Sequence, residues 1–125
     1  DLDIGSLRDL AMRLLQQTSG RADTQSRLQA ATAIVAGLSK KEERADLTAV
    51  LRLTASMLRD IEVLNSGADQ RVLANPAISN DLSALARSFA GDRARTAFGA
   101  VDRALTALER NAGTKVVAEW LAVQL

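Results

Sequence analysis

The stretch from Ser39 to Leu64 constrains this chain more than any other. Leu47, Val50, Leu51, Thr54, Met57, Leu58, Ile61 and Leu64 recur at steps of three and four residues. That spacing puts them on one face of an α-helix, and no proline or glycine interrupts it. At 1.5 Å per residue the helix would be roughly 40 Å long. Ser39 and Glu42 have the S-x-x-E spacing of a capping box, and Asn65, Ser66 and Gly67 end the pattern. A helix of this length with one apolar stripe needs other elements to cover it. It is expected to be the spine of a helical bundle.

The flanking segments supply those elements. A first helix is predicted from Leu7 to Thr18, with Ser6 as N-cap, Asp9 three residues on, and a stripe of Leu7, Leu10, Ala11, Leu14 and Leu15. A second runs from Thr24 to Leu38, capped by Asp23 or Thr24, burying Leu28, Ala31, Ile34, Val35 and Leu38. After the spine, "ADQRVLANPAISN" contains Asn75-Pro76, which disfavours helix at Asn75. It reads as a loop with a short helical turn, pinned by Leu73 and Ile78.

A fourth helix starts after Ser79 or Asn80 and carries Leu82, Leu85, Ala86 and Phe89. Gly91 and Asp92 break it. A fifth runs to Asn111 with Ala94, Ala97, Phe98, Val101, Leu105 and Leu108 on one face. Gly113 suits the left-handed position after a helix, and Thr114 can cap a last helix from Lys115 to Leu125. Val116, Val117, Trp120 and Leu121 are expected to form its apolar face. No strand pattern or internal repeat is present. The predicted fold is all-α, a single antiparallel bundle of five to six helices over residues 1–125.

Composition agrees and narrows the function. Hydrophobic residues make up 47% of the 125 residues, enough for one real core, while aromatics are only 2%. A core of Ala and Leu suits close-packed helices. The net charge of +1 gives no electrostatic case for a dedicated nucleic-acid or membrane binder. Without Cys or His the chain lacks thiolate chemistry, the usual zinc ligand and the usual neutral-pH base. No apolar run approaches the roughly 20 residues of a membrane span. There is no G-x-x-x-x-G-K-S/T phosphate loop and no G-x-S-x-G elbow. The expectation is no catalytic residue, no metal, no cofactor and no small-molecule ligand. "KKEER" at Lys40 to Arg44 reads as the solvated first turns of the spine. The chain opens at Asp1 without Met, so a domain cut from a longer protein is expected, and the absence of Cys fits a cytoplasmic one.

Three stretches together resemble a known family. They are "LTAVLRLTASMLRDIEVLNSG", with Arg59-Asp60 after a Leu-rich run; "RVLANPAISNDLSALARSF", with its Asn-Pro; and "VDRALTALERNAGTKVVAEWLAVQL", with Asn111, Glu119 and Leu121. In order and spacing they resemble the C-terminal collar domain of bacterial DNA polymerase III clamp-loader subunits, most closely delta-prime. The likeness runs from Ser39 to Leu125. It departs in the short alanine-rich fourth helix and in "AGT", where many relatives have a proline.

The resemblance implies an N-terminal AAA+ module upstream. It also implies a collar that holds a pentamer with gamma/tau and delta subunits, which loads the sliding clamp on primed DNA. On this reading the domain's role is oligomerisation. The final helix, with Trp120 and Leu121, would pack into the collar near a subunit seam, and an apolar patch would be exposed outside the ring. Trp120 reads as a core residue locking the last helix to the spine, or as an interface anchor. Arg59-Asp60 reads as contributing to an interhelix ion pair inside one subunit, or as simply exposed, ahead of pairing across the seam. Asn111 reads as a helix terminator ahead of an intersubunit contact. Arg93, Arg95 and Arg103 read as solvated rather than DNA-facing. The alternative is a helical adaptor, unrelated to replication, that presents a groove to a partner helix.

Overall fold

The computed structural model describes residues 2–125; Asp1 lies outside them. They form six α-helices: α1 (Ile4–Thr18), α2 (Thr24–Ala36), α3 (Glu43–Ser66), α4 (Ser79–Ala86), α5 (Arg93–Glu109) and α6 (Thr114–Gln124). Single 3-10 turns lie at Gln70–Val72, Pro76–Ile78 and Arg87–Phe89. No strand occurs among the described residues. The chain is an all-α helical bundle.

The spine is α3, whose 24 residues span about 36 Å. Leu47, Val50, Leu51, Thr54, Met57, Leu58 and Ile61 are all buried along it, as their spacing predicts. α3 packs on α1, α4 and α5; α2 packs on α1 and α6; α5 packs on α6. The order α1, α2, α6, α5, α3 therefore closes a circuit, with α4 attached beside the spine. One continuous core fills it, from Leu7 on α1 to Leu121 on α6. Between α2 and α6 the contact is made of Ala31, Ala118 and Ala122, small side chains that let two helices approach closely.

The helix ends depart from expectation in instructive ways. α1 starts earlier than Ser6: Asp3 is its N-cap, and its carboxylate accepts the Ser6 N–H at 2.7 Å. Asp23 caps α2 in the same way, one of the two caps expected there, accepting the Ser26 N–H at 2.8 Å. These backbone N–H groups, helped by the serine hydroxyls, hold both carboxyls below the usual aspartate value. The Ser39–Glu42 capping box does not form. Glu42 occupies the N-cap position without a side-chain bond. Buried Asp46, one turn further in, instead accepts the Ser39 N–H at 3.0 Å. Its shorter side chain is carried on the inward face, where it reaches the incoming backbone.

At the other end of α3, Gly67 takes the left-handed conformation that a helix stop requires, with φ 74°. The Asn65 amide then donates to the carbonyls of Ala86 (3.0 Å) and Phe89 (3.2 Å), tying the spine to the turn after α4. Leu73 is buried and Ile78 packs on the core, so the loop is pinned as its sequence predicts.

Candidate functional site

Asp60 lies on α3, 2% exposed, with no cation paired to it among the described residues. Its partners are N–H groups. Ala74 and Asn75 donate their backbone N–H at 2.8 and 2.7 Å, and the Asn75 amide adds a third bond at 2.8 Å. The same amide reaches Ser56 Oγ at 3.0 Å. Among the described residues neither Arg59 nor Asp60 makes the expected interhelix ion pair; Arg59 is exposed, the other reading offered for it. Successive helix positions point about 100° apart, so the two side chains diverge. Asp60 turns in to the loop, while exposed Arg59 lies over the Phe98 ring of α5, 4.9 Å from its centroid. Phe98, which the pattern of α5 placed in the core, is half-buried and packs at the core's edge beneath this cation–π contact.

Asn111 terminates α5. It holds φ 68°, its N–H donates to Leu108 O at 3.1 Å, and the Ala112 N–H donates to Ala107 O at 3.0 Å. This is a Schellman motif with asparagine in the left-handed position. Gly113, expected there, has φ −66° and is the N-cap of α6. Thr114 is buried at the first position of α6 rather than capping it, and its hydroxyl donates to a Glu43 carboxylate oxygen. Arg44 also turns towards this corner: one guanidinium N–H group donates to the carbonyls of Leu108 (3.1 Å) and Ala112 (2.7 Å). The KKEER run is thus not wholly solvated. Glu43 and Arg44 clamp the α5–α6 turn, Arg44 because the carbonyl end of a helix attracts a cation.

The last helix differs most from its expected face. Thr114, Val117, Ala118, Leu121 and Ala122 are buried. Trp120, expected in the core, is 39% exposed, and Val116 is 68% exposed. With Val123 at 43% they make a second apolar line on the outer side of α6, spaced four and three residues apart. Leu121 is 1% exposed, and half-buried Glu119 makes no side-chain hydrogen bond or ion pair among the described residues. The guanidinium of Arg103 on α5 lies 5.6 Å from the Trp120 ring centroid. Between the two helices runs a groove of about 300 Å³, lined by Arg103, Ala104, Ala107, Ala112, Val116 and Trp120 among others.

The structure therefore does not gather the six expected residues into one place. Arg59 and Asp60 sit mid-spine and serve the chain's own packing. Asn111 shapes the turn into α6, and Leu121 fills the core. Only Trp120 opens on a surface recess. Val116, already placed on the apolar face of the last helix, lines that recess with Ala107 and Ala112, which were not singled out from the sequence; nor was Val123 beside it. Arg103 was read there as solvated. A second i, i+4, i+7 line beside the buried one was the available signal.

The recess offers no paired acid and base and no nucleophile. No group of three or more metal-ligating side chains gathers among the described residues. No helix among them is long and apolar enough to cross a membrane. Comparison with family models, curated proteins and solved structures finds no match to this chain.

Proposed function

We propose that this chain is an assembly domain. Its best reading is the collar domain of a DNA polymerase III clamp-loader subunit, most like delta-prime. The observation that carries the assembly reading is the outer face of α6. A helix buries one face in its own core and leaves a second apolar line, Val116, Trp120 and Val123, uncovered. Such a face is the kind that a neighbouring subunit closes. The clamp-loader identity draws its support from the sequence resemblance. Asp60, Asn75 and Asn111, which carry part of that likeness, are residues on which the loop and the α5–α6 turn depend.

In this role the domain carries out no chemistry and binds no cofactor. It joins gamma/tau and delta subunits in a cytoplasmic pentamer that loads the sliding clamp on primed DNA. The parent chain carries an AAA+ module upstream and belongs to the DNA polymerase III holoenzyme. A second reading, a helical adaptor outside replication, is favoured by the concavity of the α5–α6 groove.

The test is co-elution of the full-length protein with the gamma/tau and delta subunits, repeated with Trp120→Ser. A complex that forms, and that Trp120→Ser weakens, is expected. Absence of any complex, together with an upstream sequence that has no AAA+ module, overturns the clamp-loader reading and leaves the adaptor.

A further inference from the structure

We propose that the α5–α6 face docks an α-helix whose apolar stripe is flanked by carboxylates. This rests on the reading of α6 as an assembly surface, and not on which assembly it serves. Five large apolar side chains are exposed among the described residues, and three of them are Val116, Trp120 and Val123. They form one line along α6. Beside it, Arg103 and Ala107 on α5 and Arg110 just past its end recur at the same four-and-three spacing. Ala107 and Ala112 leave a depression between the two lines, and a depression of about 300 Å³ between helices accepts side chains from a third helix.

The charge around the groove selects the partner. No carboxylate lines it. Arg103 and Arg110 are exposed, and neither takes part in an ion pair among the described residues. Arg103 is held at the edge by the Trp120 ring. Arg44 binds the Ala112 carbonyl from the opposite surface, among Glu42, Glu43 and Glu109, and adds no charge to the groove itself. Glu109 lies on the other side of α5, on the surface shared with Lys41 and Glu42. With a net charge of only +1 for the whole chain, this positive edge is local. It complements a row of Glu or Asp beside an apolar stripe.

Two other occupants fit less well. A second copy meeting through this face would present the same arginine-edged groove, with no carboxylate in its lining, from both sides. An anionic bilayer would suit the charge, but it favours a convex apolar ridge, and the centre here is hollow.

The only tryptophan of the chain lies on this face, so its fluorescence reports the site. The chain is titrated with two synthetic helical peptides that share a leucine stripe at i, i+4 and i+7, one flanked by glutamates and one by lysines. The acidic peptide is expected to shift Trp120 emission to the blue saturably and to bind at least about tenfold tighter than the basic one, less so in high salt. Replacing both arginines, Arg103→Ala with Arg110→Ala, should weaken it about tenfold with the melting temperature unchanged. Equal affinity for the two peptides, or no saturation with the acidic one, overturns the proposal. So does a blue shift with phosphatidylserine vesicles and none with the acidic peptide, which would assign the face to membranes. An emission change on concentrating the chain alone, with no response to the peptide, would assign it to a second copy. If the acidic peptide binds but loader subunits do not co-elute, the clamp-loader reading falls and this inference stands. If the subunits co-elute and the acidic peptide fails, the reverse holds.

Discussion

Asn75 gives both its backbone N–H, at 2.7 Å, and its side-chain amide, at 2.8 Å, to the carboxylate of Asp60. One residue on a loop thereby fills two acceptor positions of a buried acid on the spine helix. The following Pro76 keeps Asn75 out of helical geometry, with φ −124° and ψ 62°. A loop that would otherwise be loose is fixed across the middle of α3.

Removing the acceptor should be costly. Asp60→Ala leaves two backbone N–H groups without their partner and should lower unfolding free energy by about 2–3 kcal/mol in urea titrations. Asn75→Ala keeps the backbone bonds and should cost about 1 kcal/mol. Equal losses for both variants would mean that the backbone bonds contribute nothing.

At Asn111 the backbone conformation decides the outcome. Asn111→Gly should leave stability within about 0.5 kcal/mol or raise it, since glycine occupies the left-handed region freely. Asn111→Val should cost at least about 1 kcal/mol, because its branched side chain clashes there. Thermal melts of the two variants distinguish this from a side-chain contact, whose loss would make both variants equally weak.

Arg44 acts through two carbonyls at the end of α5 and the start of the next turn. Arg44→Ala should destabilise by about 1–2 kcal/mol, with loss of helical signal in step with unfolding of the whole chain. An unchanged urea midpoint would return Arg44 to the solvated surface.

The caps predict a pH dependence. The carboxyls of Asp3 and Asp23 titrate below their unfolded value of about 3.9. Their contribution is therefore present above that value and is lost as pH falls through the lower folded values. Melting temperatures of Asp3→Ala and Asp23→Ala should lie below that of the parent chain at neutral pH. The gap should close on acidification below about pH 4. A gap that persists in acid would show that capping is not its cause.

Neighbouring residues on α6 should behave oppositely. Leu121→Ala empties a site 1% exposed and should cost about 2–5 kcal/mol. Trp120→Ser removes a larger side chain, yet it should cost no more than about 1 kcal/mol and improve solubility. A large loss at Trp120 would place it in the core.

Burial along the spine was legible in the sequence because six of its apolar positions, with Thr54 between them, could be buried by one orientation of one helix. The helix ends were less so. Ser39 and Glu42 have the right spacing for a box, but Asp46 competes for the same N–H and is already carried inward. The turn after α5 offered both Asn111 and Gly113 for one left-handed position. The asparagine took it, two residues past Glu109, where the last hydrogen bonds of the helix close.

By itself the sequence determined an all-α chain of five to six helices, a long central helix and the loop at Asn75-Pro76. Each follows from local periodicity or from a backbone restriction that a few adjacent residues impose. The tertiary structure alone decided which side of α6 faces in. That helix is apolar over much of its circumference, so its period does not choose between Val117–Leu121 and Val116–Trp120. Contact with Ala31 of α2 and packing beside α5 turned the first pair inward and left Trp120 outside under Arg103. Asp60 and Arg44 found their partners in the same way, through distances that close only when α3 lies against the loop and the α5–α6 turn.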